Sequence, residues 1–210
     1  MIAIFRSIPH LLPKYLPLDL HLIIGFISVS CLLGIMYLLN RENFSIRFVI
    51  ATYLLYYFVV IVLGNVTGWT SISTIRTLIQ EDGTAFQPWI NLHPFVPGTT
   101  WDFTMNVICF IPLGILVPQL SPLFSRFRFT VLFGFLFSFL IESGQLFTRS
   151  RESDINDLIA NTLATAIGFA IYYLLFDLLL KRKLRHPSNL LGNLFPVLIV
   201  LIGVVLVFFR

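Results

Sequence analysis

The chain has 210 residues, of which 57% are hydrophobic and 11% charged, with a formal net charge of +4. A soluble domain of this size carries roughly a quarter of its residues as charges, so the composition excludes a water-soluble globular protein and equally a disordered one. Some 120 apolar residues supply ~6 membrane crossings at ~20 residues each and leave little for a separate soluble domain. The basic excess suits cytoplasmic loops, and no nucleic-acid partner is inferred from it.

Residues 1–20 hold Pro9, Pro13 and Pro17 with Arg6 and Lys14 scattered between them. They lack the basic region, apolar core and small-residue cleavage site of a secretory signal, so no cleaved leader is expected. Apolar runs follow at residues 20–40, 48–66, 103–120, 129–146, 158–180 and 194–209. At ~16–23 residues each they can cross with ordinary tilt. The runs are continuous, whereas barrel strands alternate in polarity, so helices are expected. The fold class is therefore all-α: a polytopic membrane bundle of about six transmembrane helices. Residues 1–47 read as an N-terminal extension carrying the first helix, and 48–210 as the main membrane domain. Cys31 and Cys109 fall inside apolar runs and read as small buried hydrophobes.

The long connection 67–102 contains Trp69, Phe86, Trp89 and Phe95, too aromatic for a disordered loop. Within it, Ile72, Ile75, Leu78 and Ile79 recur at helical spacing, which predicts a short amphipathic helix over 71–80 on the membrane surface or capping the bundle. Six spans return the chain to its starting side. With the termini outside, the inner loops hold Arg41, Arg47, Arg126, Arg128, Lys181, Arg182, Lys183 and Arg185, eight of the 14 basic residues. The positive-inside tendency therefore predicts both termini outside.

Only Glu142 and Asp177 among the charged residues fall within the runs. Asp177 is a turn from the basic cluster at 181–183 and can reach it. Glu142 has no such neighbour in sequence. Ser138, Glu142, Gln145 and Arg149 are spaced along one helical face. A carboxyl inside an apolar run is costly unless it is paired or faces a polar cavity. Asp154, Asp157, Asn161 and Thr165 share a second face; Asp154 suits a helix cap, and Asn161 needs a partner on another helix. Asp102 and Asn106 share a third face, ahead of a kink at Pro112. Ala160, Ala164 and Gly168 form a stripe of small residues suited to close helix packing.

These polar helix ends fall on one side of the expected bundle. Asp102, Asn106, Glu142, Gln145, Arg149, Arg151, Asp154, Asp157 and Asn161 can form one outward-facing cavity that binds a ligand, or an interhelical hydrogen-bond network without chemistry. No histidine or cysteine cluster supports a metal, and no phosphate-binding or dinucleotide glycine motif is present, so neither metal nor cofactor is expected.

Several pieces occur together in order: Asn91-Leu-His-Pro94-Phe95, then Asn106 with Phe110-Ile-Pro112-Leu113-Gly114, then Glu142-x-x-Gln145, then Arg151-x-x-Asp154-x-x-Asp157 and Asn161-Thr162. In that order and at those spacings the chain resembles the VanZ-like family of small bacterial membrane proteins, over roughly residues 48–209. The family often has consecutive aspartates where Asn156-Asp157 stand here, and a glycine where Ala164 stands. The resemblance implies a place in the bacterial cytoplasmic membrane. It also implies a role in susceptibility to teicoplanin-type glycopeptides, with which the family's namesake is associated.

Three functions are compatible with these residues. A non-catalytic protein would bind a lipid, a lipid-linked wall precursor or a lipid-tailed glycopeptide at the outer cavity, with the arginines on a phosphate or carboxylate. An enzyme modifying a lipid-linked envelope molecule would use Glu142 or Asp157 as general base. A small transporter or flippase is the third, although no internal repeat supports it. The first is the leading expectation.

Overall fold

Several of the described helices begin where a polar side chain satisfies a free backbone N–H group. The computed structural model describes residues 20–41, 44–95, 100–149, 151–179 and 189–210. The start of the chain, the basic cluster at 181–185 and the side chain of Asp177 lie outside the described residues. Seven α-helices are described: α1 (Leu20–Leu39), α2 (Ile46–Ile61), α3 (Ile72–Asp82), α4 (Thr100–Leu120), α5 (Phe127–Gln145), α6 (Ile155–Tyr172) and α7 (Leu190–Phe208). Helix α2 runs on as a π-helix over Val62–Val66, and α6 as one over Tyr173–Leu179. All but α3 are long and apolar enough to span a membrane, six in total. The protein is thus a multi-pass helical membrane bundle.

The caps move several boundaries from those read in the apolar runs. Ser45 accepts from the Phe48 N–H and starts α2 two residues early. Asp154 accepts from the Asn156 N–H at 2.8 Å and starts α6 at Ile155, three residues before its apolar run. Asn189 accepts from the Gly192 N–H at 2.8 Å and starts α7 at Leu190. A capping side chain replaces one missing helical hydrogen bond, so helices extend outward into polar sequence wherever one is available. The amphipathic stretch forms α3, capped by Ser71 and ended by Gly83 in the left-handed conformation at φ 73°. Leu78 is its buried anchor.

Helices α4 and α6 make the most extensive pair, with α5 against α6 and α2 between α4 and α7. The reason is the small-residue stripe. Ala160 and Ala164 are fully buried, and a Cβ added to Gly168 would collide with the Ile111 carbonyl oxygen and stand 2.9 Å from Gly114 Cα. A Cβ on Gly114 would meet the Thr165 carbonyl oxygen and, at 2.8 Å, the Phe169 nitrogen. The backbones themselves are in contact there, as small residues permit between membrane helices. Phe58, Phe110 and Phe137 meet at the centre of the bundle at ring separations of 5.9–6.5 Å.

Both described chain ends reach one end of this bundle. The Tyr56 hydroxyl donates to the Leu22 carbonyl at 3.0 Å, and a Cβ on Gly25 would strike Leu206, which sets the start of α1 beside the end of α7. The same end carries the π-helical end of α2, the start of α4, the end of α5 and the start of α6. It is called the polar end below.

Candidate functional site

Two residues of strand create the scaffold of the polar end. Ile90–Asn91 (β1) pairs in parallel with Ser153–Asp154 (β2), Ile90 opposite Ser153 and Asn91 opposite Asp154. The Ser153 N–H donates to the Trp89 carbonyl at 2.8 Å, and the Gln87 N–H to the Leu146 carbonyl at 2.8 Å. The long connection is therefore stitched to the turn between α5 and α6 through its backbone.

Glu142 holds that turn from below. It is only 6% exposed, and its Oε2 accepts from the Asp154 N–H at 2.8 Å. The Gln145 amide, with its nitrogen turned inward, donates to the same Oε2 at 3.0 Å and to the Glu152 carbonyl at 2.9 Å. No basic side chain among the described residues pairs with Glu142. Hydrogen bonds rather than a counter-charge therefore satisfy the intramembrane carboxyl. Deeper in the bundle, the Asn161 amide donates to Ser138 Oγ at 3.0 Å, the α5–α6 partner its burial requires. Thr165 returns its hydroxyl to the Asn161 carbonyl at 2.8 Å.

Above this layer lies a cavity of about 290 Å³ lined by Asn106, Arg151, Asp154, Asn156 and Asp157, with Glu152 at its wall and Val66, Phe103 and Met105 on its apolar side. Its lining carries three carboxylates and one guanidinium. Arg151 is braced by a bond from Nη2 to the Val66 carbonyl at 2.9 Å, and its side chain lies over Gly68, whose φ is +60°. Asp154 uses Oδ1 for its cap and for the Asn156 amide at 2.8 Å, while Oδ2 accepts from the Asn91 amide at 3.3 Å.

The residues proposed from sequence fall in four places. Asn106, Arg151, Asp154 and Asp157 line the cavity. Glu142, Gln145 and Asn161 are buried as its support, not as its lining. Asp102 sits in the first turn of α4, and its side chain lies outside the described residues. Arg149 departs furthest from the expected face. Helix α5 stops at Gln145, so the four-residue spacing that aligned Arg149 with Glu142 no longer applies. Arg149 turns instead to α3, donating from Nε to Asp82 at 2.8 Å and from Nη1 to Glu81 at 2.7 Å. Asp82, then Glu81, raise its proton affinity above that of an ordinary guanidinium. Both pairs are exposed and add little stability; they join the end of α3 to the turn that follows α5.

One residue of the cavity lining was not among those proposed from sequence. Asn156 is 2% exposed; its Oδ1 accepts from the Phe95 N–H at 2.7 Å, and its Nδ2 donates to the His93 carbonyl at 3.2 Å. Phe95 takes a φ of +59°, strained for a bulky side chain. An amide can both accept and donate here, whereas a carboxylate can only accept. An asparagine at this position therefore meets both demands where an aspartate would meet one. The Asn91 to Phe95 segment and Asn156 thus belong to one site, although 61 residues separate Phe95 from Asn156.

No curated protein and no solved structure matches the chain. The family model described as VanZ/LLP1 matches residues 48–176, which takes in α2 from Phe48 onward, α3 to α6 and every described element that contributes to the cavity. A match over more than half of the chain, coinciding with the elements that build its polar end, establishes that this multi-pass membrane protein belongs to the VanZ/LLP1 family.

Proposed function

We propose that the protein binds the head of a lipid or lipid-linked envelope molecule in the cavity at its polar end, and thereby alters access of glycopeptide antibiotics of the teicoplanin type to the bacterial surface. The observation that carries this reading is the cavity itself: charged and amide groups converge on about 290 Å³ beside an apolar wall, at the end of a membrane bundle. Ligand pockets for drug-sized molecules run to roughly 300–1,000 Å³. The cavity accommodates a head group and not a whole glycopeptide. Three carboxylates against one arginine favour a head with a single anionic group opposite Arg151 and hydroxyl, amide or amine donors opposite Asp154 and Asp157. A membrane enzyme is the alternative reading, and the presence of Asp157 in the lining is what favours it. Glu142, held beneath the turn, supports the cavity in either case.

The test is antibiotic susceptibility in a bacterial host expressing the chain. Arg151→Ala is expected to remove the change in teicoplanin susceptibility at unchanged membrane abundance, because the one guanidinium in the lining is lost. Asp157→Asn is expected to keep most of it, because the amide retains an acceptor; complete loss would favour the general base. Unchanged susceptibility with Arg151→Ala would sink the binding reading.

We further propose that the polar end faces outward, as the basic residues of the opposite loops favour. In a chain with Cys31 and Cys109 replaced by serine, a single cysteine at Arg151 is expected to react with an impermeant thiol reagent in intact cells. A cysteine at Lys183 is expected to stay unlabelled. The reverse pattern would invert the topology.

A further inference from the structure

The connection between α3 and α4 carries an apolar surface at the polar end that the cavity does not use. Trp89, Ile90, Leu92 and Phe95, with Trp101 in the first turn of α4, are 52–70% exposed. Residues 83–101 contain no Asp, Glu, Lys or Arg. A water-facing connection of that length ordinarily carries several charges. The backbone turns these side chains outward. The Asn91 amide points inward and donates to Asp154 Oδ2 at 3.3 Å, so strand alternation sends Ile90 and Leu92 to the other face. Phe95 takes a φ of +59° where its N–H bonds to Asn156, a conformation unfavourable for a bulky residue. Its ring remains mostly exposed, so burial within the protein does not offset that strain.

We propose that residues 89–95 and Trp101 are seated in the head-group layer of the lipid bilayer, as a strap that holds the cavity at that level. Two contacts with the spans set the depth. Ile90 and Asn91 pair with Ser153 and Asp154, and the membrane-spanning stretch of α6 starts at the next residue, Ile155. The Phe95 ring lies 6.5 Å from that of Phe103, where the spanning stretch of α4 starts. The apolar surface therefore lies where two spans enter the hydrocarbon. Lipid is the occupant that this level selects, because the surface continues the lipid-facing sides of the spans. Its composition agrees: indole rings favour the layer where apolar and polar surroundings meet, and charges are absent. Seating the Phe95 ring in lipid removes it from water, which offsets the cost of its backbone. The strap is joined to the cavity through Asn156, which lines the cavity and bonds to His93 and Phe95.

The inference does not depend on what the cavity binds. The test uses the full chain, with Cys31 and Cys109 replaced by serine, in phosphatidylcholine nanodiscs that leave both membrane faces accessible. Trp89→Cys, Leu92→Cys and Trp101→Cys, made one at a time at exposed positions, each carry a nitroxide. Collisions of the nitroxide with oxygen, which concentrates in lipid, are compared with collisions with a neutral water-soluble nickel chelate. The oxygen-to-nickel ratio at all three positions is expected to exceed that at Gln80, exposed on the polar face of α3, by about fivefold or more. It is expected to stay below the ratio at Leu136 and Leu163, on the exposed faces of the α5 and α6 spans. Lipid carrying nickel on its head group is expected to relax the labels at positions 89 and 92 more strongly than those at positions 136 and 163. Ratios at positions 89 and 92 equal to that at Gln80 would place the segment in water, open to a soluble partner, and would overturn the proposal. Labels shielded from both oxygen and nickel would also overturn it, because another protein surface would then cover the segment. Arg151→Ala is expected to leave the ratios unchanged. Failure of the cavity reading therefore shows in susceptibility alone, and failure of the strap shows in the collision ratios alone.

Discussion

Gly168→Val is expected to abolish accumulation of the folded protein. The valine Cβ would occupy the space of the Ile111 carbonyl oxygen, with Gly114 Cα 2.9 Å away, so neither a rotamer change nor a small side-chain shift relieves the contact. The two backbones must separate, and the most extensive helix pair of the bundle goes with them. Overpacking of this kind costs about 3 kcal/mol or more, comparable to much of the net stability of a small domain. The measurement is the yield and thermal midpoint of protein extracted in mild detergent. Gly34→Ala is the matched control: nothing lies within 4 Å of the added Cβ, and alanine is the better helix former, so it is expected to accumulate normally. A Gly168→Val protein with native yield and midpoint would show that α4 and α6 do not meet as described.

Glu142 gives the second large effect, and it separates two roles for the same side chain. Glu142→Ala removes the acceptor for both the Asp154 N–H and the Gln145 amide at a buried position. Leaving such donors unsatisfied costs about 1–3 kcal/mol each. The start of α6 and the paired β1 strand are both anchored at Asp154, so the cavity is expected to lose its shape and the susceptibility effect with it. Glu142→Gln keeps one acceptor oxygen, which in the place of Oε2 can accept from both the Asp154 N–H and the Gln145 amide. That variant is expected to keep abundance, midpoint and most of the effect. Loss of the effect in Glu142→Gln at normal abundance and midpoint would show that ionisation of the carboxyl, not its shape, is used. A native phenotype in Glu142→Ala would remove the residue from the site altogether.

The contrast between Glu142 and Arg149 shows what sequence spacing can carry. Both fell on one face by counting residues, and Glu142 stays on it because residues 127–145 are helical. The chain leaves the helix at Leu146, and the same count then places Arg149 on the opposite side of the turn. Helical periodicity is a reliable ruler only inside the helix, and the stop is set by the tertiary contacts of the turn. Asn156 is the complementary case. Its sequence position beside Asp157 gave no sign of its partners, which are His93 and Phe95, brought to it by the parallel pairing of β1 and β2. A two-residue strand pair leaves no periodic pattern to read.

The sequence by itself determined the solvent in which this chain folds, the number of its spans and the family to which it belongs. Hydrocarbon admits few backbone solutions, so long continuous apolar runs translate directly into helices. It also identified the stripe at Ala160, Ala164 and Gly168 as a packing seam, because small residues have one main use at that spacing. Tertiary structure alone decided how the polar residues are divided. Asn106, Arg151, Asp154 and Asp157 line the cavity, Glu142, Gln145 and Asn161 lie buried as its support, and Arg149 serves α3. It also decided that Trp69, one of several aromatics in a long loop, rests against Gly144 with its N–H unsatisfied. The burial and hydrogen-bond partners of a polar side chain depend on residues tens of positions away, and no local pattern records them.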